Sequence, residues 1–280
     1  MATIPMNQTN LANYIPTIWA KEVQAAVENA LVCGNLVDRS FEKYAAGGGG
    51  TIVVPILSNI TATAYNAAAE ASYTTTTEGA VNISLNQRYY AAYGVDPFTD
   101  VQDAVGYFDQ AKSKLAYAIA KQVDSGVNGL FNGFGNTTGT EGTALGVDQL
   151  VAAYESLNEN DAPMEGRSWI FDPESITDLM ALDMYVRADY TGVAVSDVGF
   201  VGKQIYGAPV YMTNNLTAIN TSYHAAAHLH KEAIALVVQK PPKIKLAYDV
   251  RKLSDILAIT CLWGQREMRD GFGVWIKTRS

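Results

Sequence analysis

Positive charge is missing from a long stretch of this chain. Between Lys43 and Arg88 there is no Lys or Arg, and Glu70 and Glu78 are the only charged residues there. Charge is sparse throughout, at 17% of 280 residues, against roughly a quarter in an ordinary globular chain. The formal net charge is -8 and the pI about 4.9. No Lys/Arg cluster of the kind that neutralises phosphates is visible, which argues against direct nucleic-acid binding as the main task. An acidic container along whose wall DNA slides stays compatible with this charge. Cysteine is scarce too. Cys33 and Cys261 are the only two, each in an apolar run. That excludes a disulfide framework and reads as two buried thiols of a cytoplasmic protein. No stretch approaches the roughly 18 apolar residues of a membrane span. Met1 to Tyr14 has no basic residue and no apolar core, so it does not read as a secretory signal.

Hydrophobic residues make up 48% of the chain, enough for a sizeable core in one large domain or two smaller ones. Residues 1–15 read as a polar, uncharged arm. Ile15, Trp19, Val23, Val27, Ala30 and Leu31 form one helical stripe, with Pro16 at its start and Gly34 past its end. The run Gly47–Gly50 precedes Thr51-Ile52-Val53-Val54, a strand pattern, so it reads as a hinge and not as a phosphate loop. A hairpin is expected from about Thr51 to Val95. Its return strand puts Val81, Ile83, Leu85, Gln87, Tyr89, Ala91, Tyr93 and Val95 on one face. A two-stranded ribbon is marginal alone in water, so something outside the domain should cover it.

A helix is expected from about Asp100 to Leu130, opened by the capping pattern Thr99-Asp100-Val101-Gln102. At 1.5 Å per residue it would run roughly 45 Å, a spine. Residues 132–142 read as a loop. A helix follows over 147–157, then a buried strand over Arg167–Phe171. Asp172-Pro173-Glu174 caps a second helix. Residues 184–198 read as a loop, and strands are expected at 209–212, 233–239, 243–248, 256–263 and 274–277.

No pattern marks an active site. His224, His228 and His230 are the only histidines, spaced four and two apart in an Ala-rich stretch. They read as solvated or locally packed, because a metal centre needs a scaffold that converges them and a further ligand. Residues 133–139 miss the dinucleotide fingerprint and follow a helix. Glu159/Asp161 and Asp183/Asp189 read as surface charge. No catalytic, cofactor-binding or metal residue is expected, and no cofactor.

The order of elements resembles the major capsid proteins of tailed bacteriophages with the Hong Kong 97 phage capsid fold. Ile15-Pro16-Thr17-Ile18-Trp19 through Ala30–Arg39 is similar to the opening block of such coat proteins. The stretches 199–203 and Tyr206–Leu216 are similar to a second block, and His230–Ala235 to a third. The resemblance implies an α+β fold with an N-terminal arm over 1–50 and an extended β-hairpin loop over 51–98. It implies a peripheral domain with the spine helix over 99–140, an axial domain over 141–240, and returning peripheral strands over 241–280.

The function it implies is a non-enzymatic subunit that self-assembles, as pentamers and hexamers, into an icosahedral head around double-stranded DNA. Such a head is a virion component put together in the bacterial cytoplasm, with a portal, no membrane and no sequence-specific DNA contact. The extended loop would lie over a neighbour, with Tyr65, Glu70, Tyr73, Glu78, Arg88, Tyr89, Tyr90 and Tyr93 as candidate interface residues. Some relatives weld their shells through a lysine on this loop. Here the loop has none, so no cross-link by that route is expected. About 15 residues precede the first helix, so a separate scaffolding protein is expected, and a decoration protein is left open. The alternatives are an encapsulin-like nanocompartment shell subunit, an intracellular α/β enzyme with an unrecognised site, and a decoration or tail component.

Overall fold

The computed structural model describes residues 32–45, 47–57, 62, 64, 78–95, 107–182, 204–216, 218–220, 223–251 and 253–279. For Leu57, Glu78, Val95, 107–110, 218–220 and Tyr223 it describes the backbone alone. The expected first helix, the capping pattern at 99–102 and the loop 184–198 lie outside the described residues. The helices are α1 (Cys33–Leu36), α2 (Glu42–Ala45), α3 (Tyr107–Asn128), α4 (Val147–Glu159) and α5 (Pro173–Ala181). The strands are β1 (Thr51–Leu57), β2 (Glu78–Ser84), β3 (Gln87–Val95), β4 (Asn136–Gly139), β5 (Arg167–Phe171) and β6 (Gln204–Ile205). They continue as β7 (Ala208–Met212), β8 (Ala218–Asn220), β9 (Tyr223–His230), β10 (Ile234–Asp249), β11 (Ser254–Glu267) and β12 (Gly273–Lys277).

The central sheet runs β4-β12-β9-β5-β7-β6, with β8 hairpinned onto β9. Both its faces are covered, which is why β5 reads as an unbroken apolar run and is buried at every residue. On one face Trp169, Phe171, Val274 and Ile276 pack against Leu150, Ala153 and Leu157 of α4 and Leu179 of α5. On the other, Ile170, Ala225, Ala227 and Leu229 meet Leu115, Ile119 and Val127 of α3. Asp172 caps α5 as its sequence predicts, accepting from Glu174 N–H at 3.2 Å and Ser175 N–H at 3.4 Å.

The second sheet runs β10-β11-β3, all antiparallel. Helix α3 covers one of its faces, over Leu257, Ile259, Cys261 and Trp263. The described part of α3 spans 22 residues, about 33 Å. A polar seam fixes it in place. The buried Asp124 carboxylate accepts from Gly34 N–H at 3.1 Å and from the Asn215 amide at 3.2 Å, while Asn128 donates to the Asn215 carbonyl at 2.8 Å.

Three expectations change. First, the return strand of the hairpin is not one strand. β2 pairs with β1, but after Ser84 the chain breaks at Leu85-Asn86 and β3 joins β11 instead. The inward parity of Ile83 and Leu85 holds; the partner changes. Here the backbone crosses β11 at Gly264, where a Cβ would collide with the Ser84 carbonyl and the Leu85 side chain. Second, residues 233–239 and 243–248 form one strand, β10, with register shifts between Val238 and Lys243 around Pro241-Pro242. A proline pair suits a bulge on an edge strand, since neither residue can donate to the ladder. Third, the histidine stretch is β9, in the middle of the central sheet, and Asn136–Gly139 is a strand, β4, parallel to β12.

Candidate assembly surface

Of the expected interface residues, Tyr65, Glu70 and Tyr73 lie outside the described residues. Glu78 opens β2 opposite Leu57. Arg88, Tyr89, Tyr90 and Tyr93 sit on β3, split between two faces. Tyr89 and Tyr93 are opposite Cys261 and Leu257, on the α3 side. Tyr89 stacks on Trp263 with ring centroids 5.1 Å apart. Arg88 and Tyr90 are opposite Leu262 and Thr260, on the other face, which the ribbon base covers only at its Ala235–Val237 end. Tyr90 is 77% exposed.

Sequence reasoning missed a second apolar patch. The tip of the β10–β11 hairpin exposes Leu246, Tyr248, Val250 and Leu253, with Val250 at 73%. Leu253 holds φ at 49°, a conformation a branched-chain residue adopts only under strain. A bulky apolar residue kept strained and in water is not there for the stability of the isolated chain. The signal that could have found it is an apolar residue at the turn of an otherwise charged hairpin, Lys243 to Asp255.

The hairpin base is tethered and its ribbon is not. Ile83 and Leu85 pack with Ala45, Ala235 and Val237. Gln239 donates to the carbonyls of Ala45 and Gly49 at 3.3 and 3.0 Å. Gly48 and Gly49 take φ of 85° and 109°, which only glycine enters without strain. Beyond them Val53 and Ile56 are exposed.

The histidines and cysteines sit within the fold. His228 is buried with its ring stacked on Trp169, centroids 3.6 Å apart and planes 4° apart. Burial, with the Arg167 guanidinium nearby, pushes its pKa down to about 3. His230 Nε2 lies 2.9 Å from the Glu165 carbonyl, and burial lowers its pKa. His224 lies 3.8 Å from Asp172. The ring partners of His228 and His230 point to packing in both. Among the described residues no group of three or more His, Cys, Asp and Glu side chains could hold a metal. Both cysteines are buried and free, and burial raises both thiol pKa values. Asp183/Asp189 lies outside the described residues. Glu159 and Asp161 are exposed at the end of α4.

A cleft of about 700 Å³ opens beside β1 between Phe41, Ile56, Met268 and Phe272. Its carboxylates are tied up: Asp38 accepts from Ser40 N–H and Oγ at 2.9 Å, and Glu232 faces Arg269 at 3.8 Å. Nearby, Glu267 at the end of β11 has its pKa raised to about 7, by burial and then by the adjoining Asp270.

No protein-family model and no curated protein sequence matches the chain. Solved structures do. A chain from the structure of Mycobacterium phage Che8 is 21% identical with a TM-score of 0.81, over 94% of this chain and 97% of that one. The capsid structure of the cyanophage P-SCSP1u is 14% identical with a TM-score of 0.76, over 96% and 94%. This chain has the phage capsid fold. The mature capsid of bacteriophage PhiM1 is similar as well, 12% identical with a TM-score of 0.73 over 94% and 91%. At these identities the capsid fold is retained while most side chains differ, so no contact is transferred by residue. Within that fold this chain carries a two-stranded ribbon, a spine helix and a three-stranded sheet backed by that helix.

Proposed function

We propose that this chain is a structural major capsid protein, assembling with copies of itself into the icosahedral head of a tailed bacteriophage around double-stranded DNA. The observation that carries this reading is the end-to-end likeness to a phage capsid chain, over 96% of this chain and 94% of that one. The surfaces agree with it. The ribbon β1–β2, the outer face of β3 and the β10–β11 tip each leave large apolar side chains in water, and such patches mark surfaces that partners cover. In this reading residues 51–98 form a loop that lies over a neighbouring subunit, 99–140 with 241–280 the peripheral domain, and 141–240 the axial domain. The subunit is non-enzymatic and belongs to the virion. Pentamers and hexamers make the shell, a separate scaffolding protein and a portal complete it, and assembly takes place in the host cytoplasm.

Negative-stain electron microscopy with light scattering on the purified chain at high concentration tests this. Shells, tubes or five- and six-membered rings are expected, and shell diameter separates a phage head from a nanocompartment. A compact monomer that never assembles, even co-expressed with its genomic neighbours, would overturn the reading.

A further inference from the structure

The outer face of the three-stranded sheet is cationic. Register places Arg88 of β3 and Lys240, Lys243 and Lys245 of β10 on it together with Tyr90. No carboxylate among the described residues pairs with any of the four cations. Where β10 bulges, Arg88, Tyr90, Lys240 and Leu262 surround a shallow hollow of about 280 Å³. The face therefore offers fixed positive charge around an apolar recess, on a chain whose net charge is -8.

The complementary surface is on the same chain. Between residues 141 and 174 the only basic residue is Arg167, and it is buried. Helix α4 turns Leu150, Ala153 and Leu157 inward and presents Asp148, Glu155 and Glu159 to solvent. These three lie on one helical stripe, spaced seven and four apart, and Val151 is exposed beside them. The stripe is about 16 Å long. The cations from Lys240 to Lys245 span up to about 16 Å of strand. None of the three carboxylates has a cationic partner among the described residues. A single subunit keeps the two surfaces apart, because the central sheet and α3 lie between them.

We propose that the cationic face of one subunit docks against the acidic stripe of α4 on a second copy. Two different surfaces of one chain then meet head to tail, the geometry that closes into rings when its rotation allows. Lys240, Lys243 and Lys245 face Asp148, Glu155 and Glu159, and Val151 enters the hollow beside Tyr90. The proposal rests on the self-assembly reading and names the contact that drives it.

Charge reversal on the full chain tests it. K243E/K245E and E155K/E159K each change exposed residues, so thermal melting should match the parent. Each is expected to raise the concentration needed for assembly at low salt about tenfold or more, since reversed charges across an interface repel. The chain carrying all four changes restores the attraction with its sign inverted and should assemble near the parent threshold. If the parent assembles and either reversal leaves its threshold unmoved, the contact is overturned and the capsid reading stands. A lysine-reversal defect that the four-fold variant does not repair would assign the cationic face to another partner, and overturns it too. A parent chain that never assembles, even co-expressed with its genomic neighbours, overturns both readings.

Discussion

The two sheets of this molecule obey opposite rules. The central sheet is covered on both faces, and its side chains answer to their neighbours within the chain: Trp169 stacks on His228, Ile170 meets α3, and Arg167 donates to the carbonyls of Ala162 and Pro163. The three-stranded sheet is backed by α3 on one face; on the other the ribbon base covers only the Ala235–Val237 end, and the rest spends exposed Tyr90 and cations without a carboxylate partner among the described residues on nothing in its own subunit. One region stores the stability of the subunit, and the other carries what a neighbour would use. Substitutions should therefore sort by burial: those in the central sheet and under the ribbon base act on the monomer, and those on the exposed part of the outer face act on assembly.

The largest expected effect is Trp169→Ala, which removes a fully buried ring between α4 and β9. It should cost the isolated subunit about 3–5 kcal/mol, read by denaturant unfolding under conditions that keep it monomeric. A loss below about 1 kcal/mol would mean the central sheet is not the stable half. Next comes acid. His228 is held neutral in the fold, with a pKa of about 3, so unfolding takes up a proton below its ordinary value. Stability is full above about pH 6.5 and falls with decreasing pH down to about 3, by up to about 1.4 kcal/mol per pH unit. His228→Gln should flatten that slope between pH 6 and 4; an unchanged slope would place the acid sensitivity elsewhere.

Gly264→Ala should cost about 1–3 kcal/mol, because the hairpin backbone at Ser84 has no room for a Cβ. Hydrogen exchange should show the loss concentrated in β2 and β3. Loss spread evenly over the central sheet would show that the two sheets unfold as one. The smallest effect on the monomer is expected for Tyr90→Ser, within about 0.5 kcal/mol of the parent, while the concentration needed for assembly rises. If Tyr90→Ser destabilised the monomer as Trp169→Ala does, the division between the sheets would collapse.

Much of the interior was legible. Arg167–Phe171 is a strand over the residues expected, because a run buried on both faces needs no alternation. Asp172 caps its helix because a short carboxylate two and three residues ahead of free N–H groups has one effective use there. The inward parity of Ile83 and Leu85 was legible as well, but not the change of partner between them, since alternation records the face of a strand and not its neighbour. β9 was hidden by Ala225, Ala226 and Ala227, weak strand formers by propensity that are tolerated because both faces are packed closely. β4 was hidden by Asn136-Thr137-Thr138-Gly139, turn-like residues made a strand by pairing with β12. The cationic face was invisible for a different reason. Arg88 and the three lysines are far apart in sequence, and only the register of β3, β11 and β10 brings them together.

The bulge of β10 has a mechanical consequence. The strand is 16 residues long, roughly 50 Å, and runs from the hairpin anchor at Ala235 and Val237 to the exposed tip at Tyr248. Its ladder is regular on both sides of the irregular stretch between Val238 and Lys243, where Pro241 and Pro242 contribute no donor. The slack is confined to the edge strand, because β11 keeps an unbroken register with β3 from Asp255 to Trp263 across the same stretch. In the capsid reading, an edge strand with local slack is where one sequence would adjust to neighbours at slightly different angles.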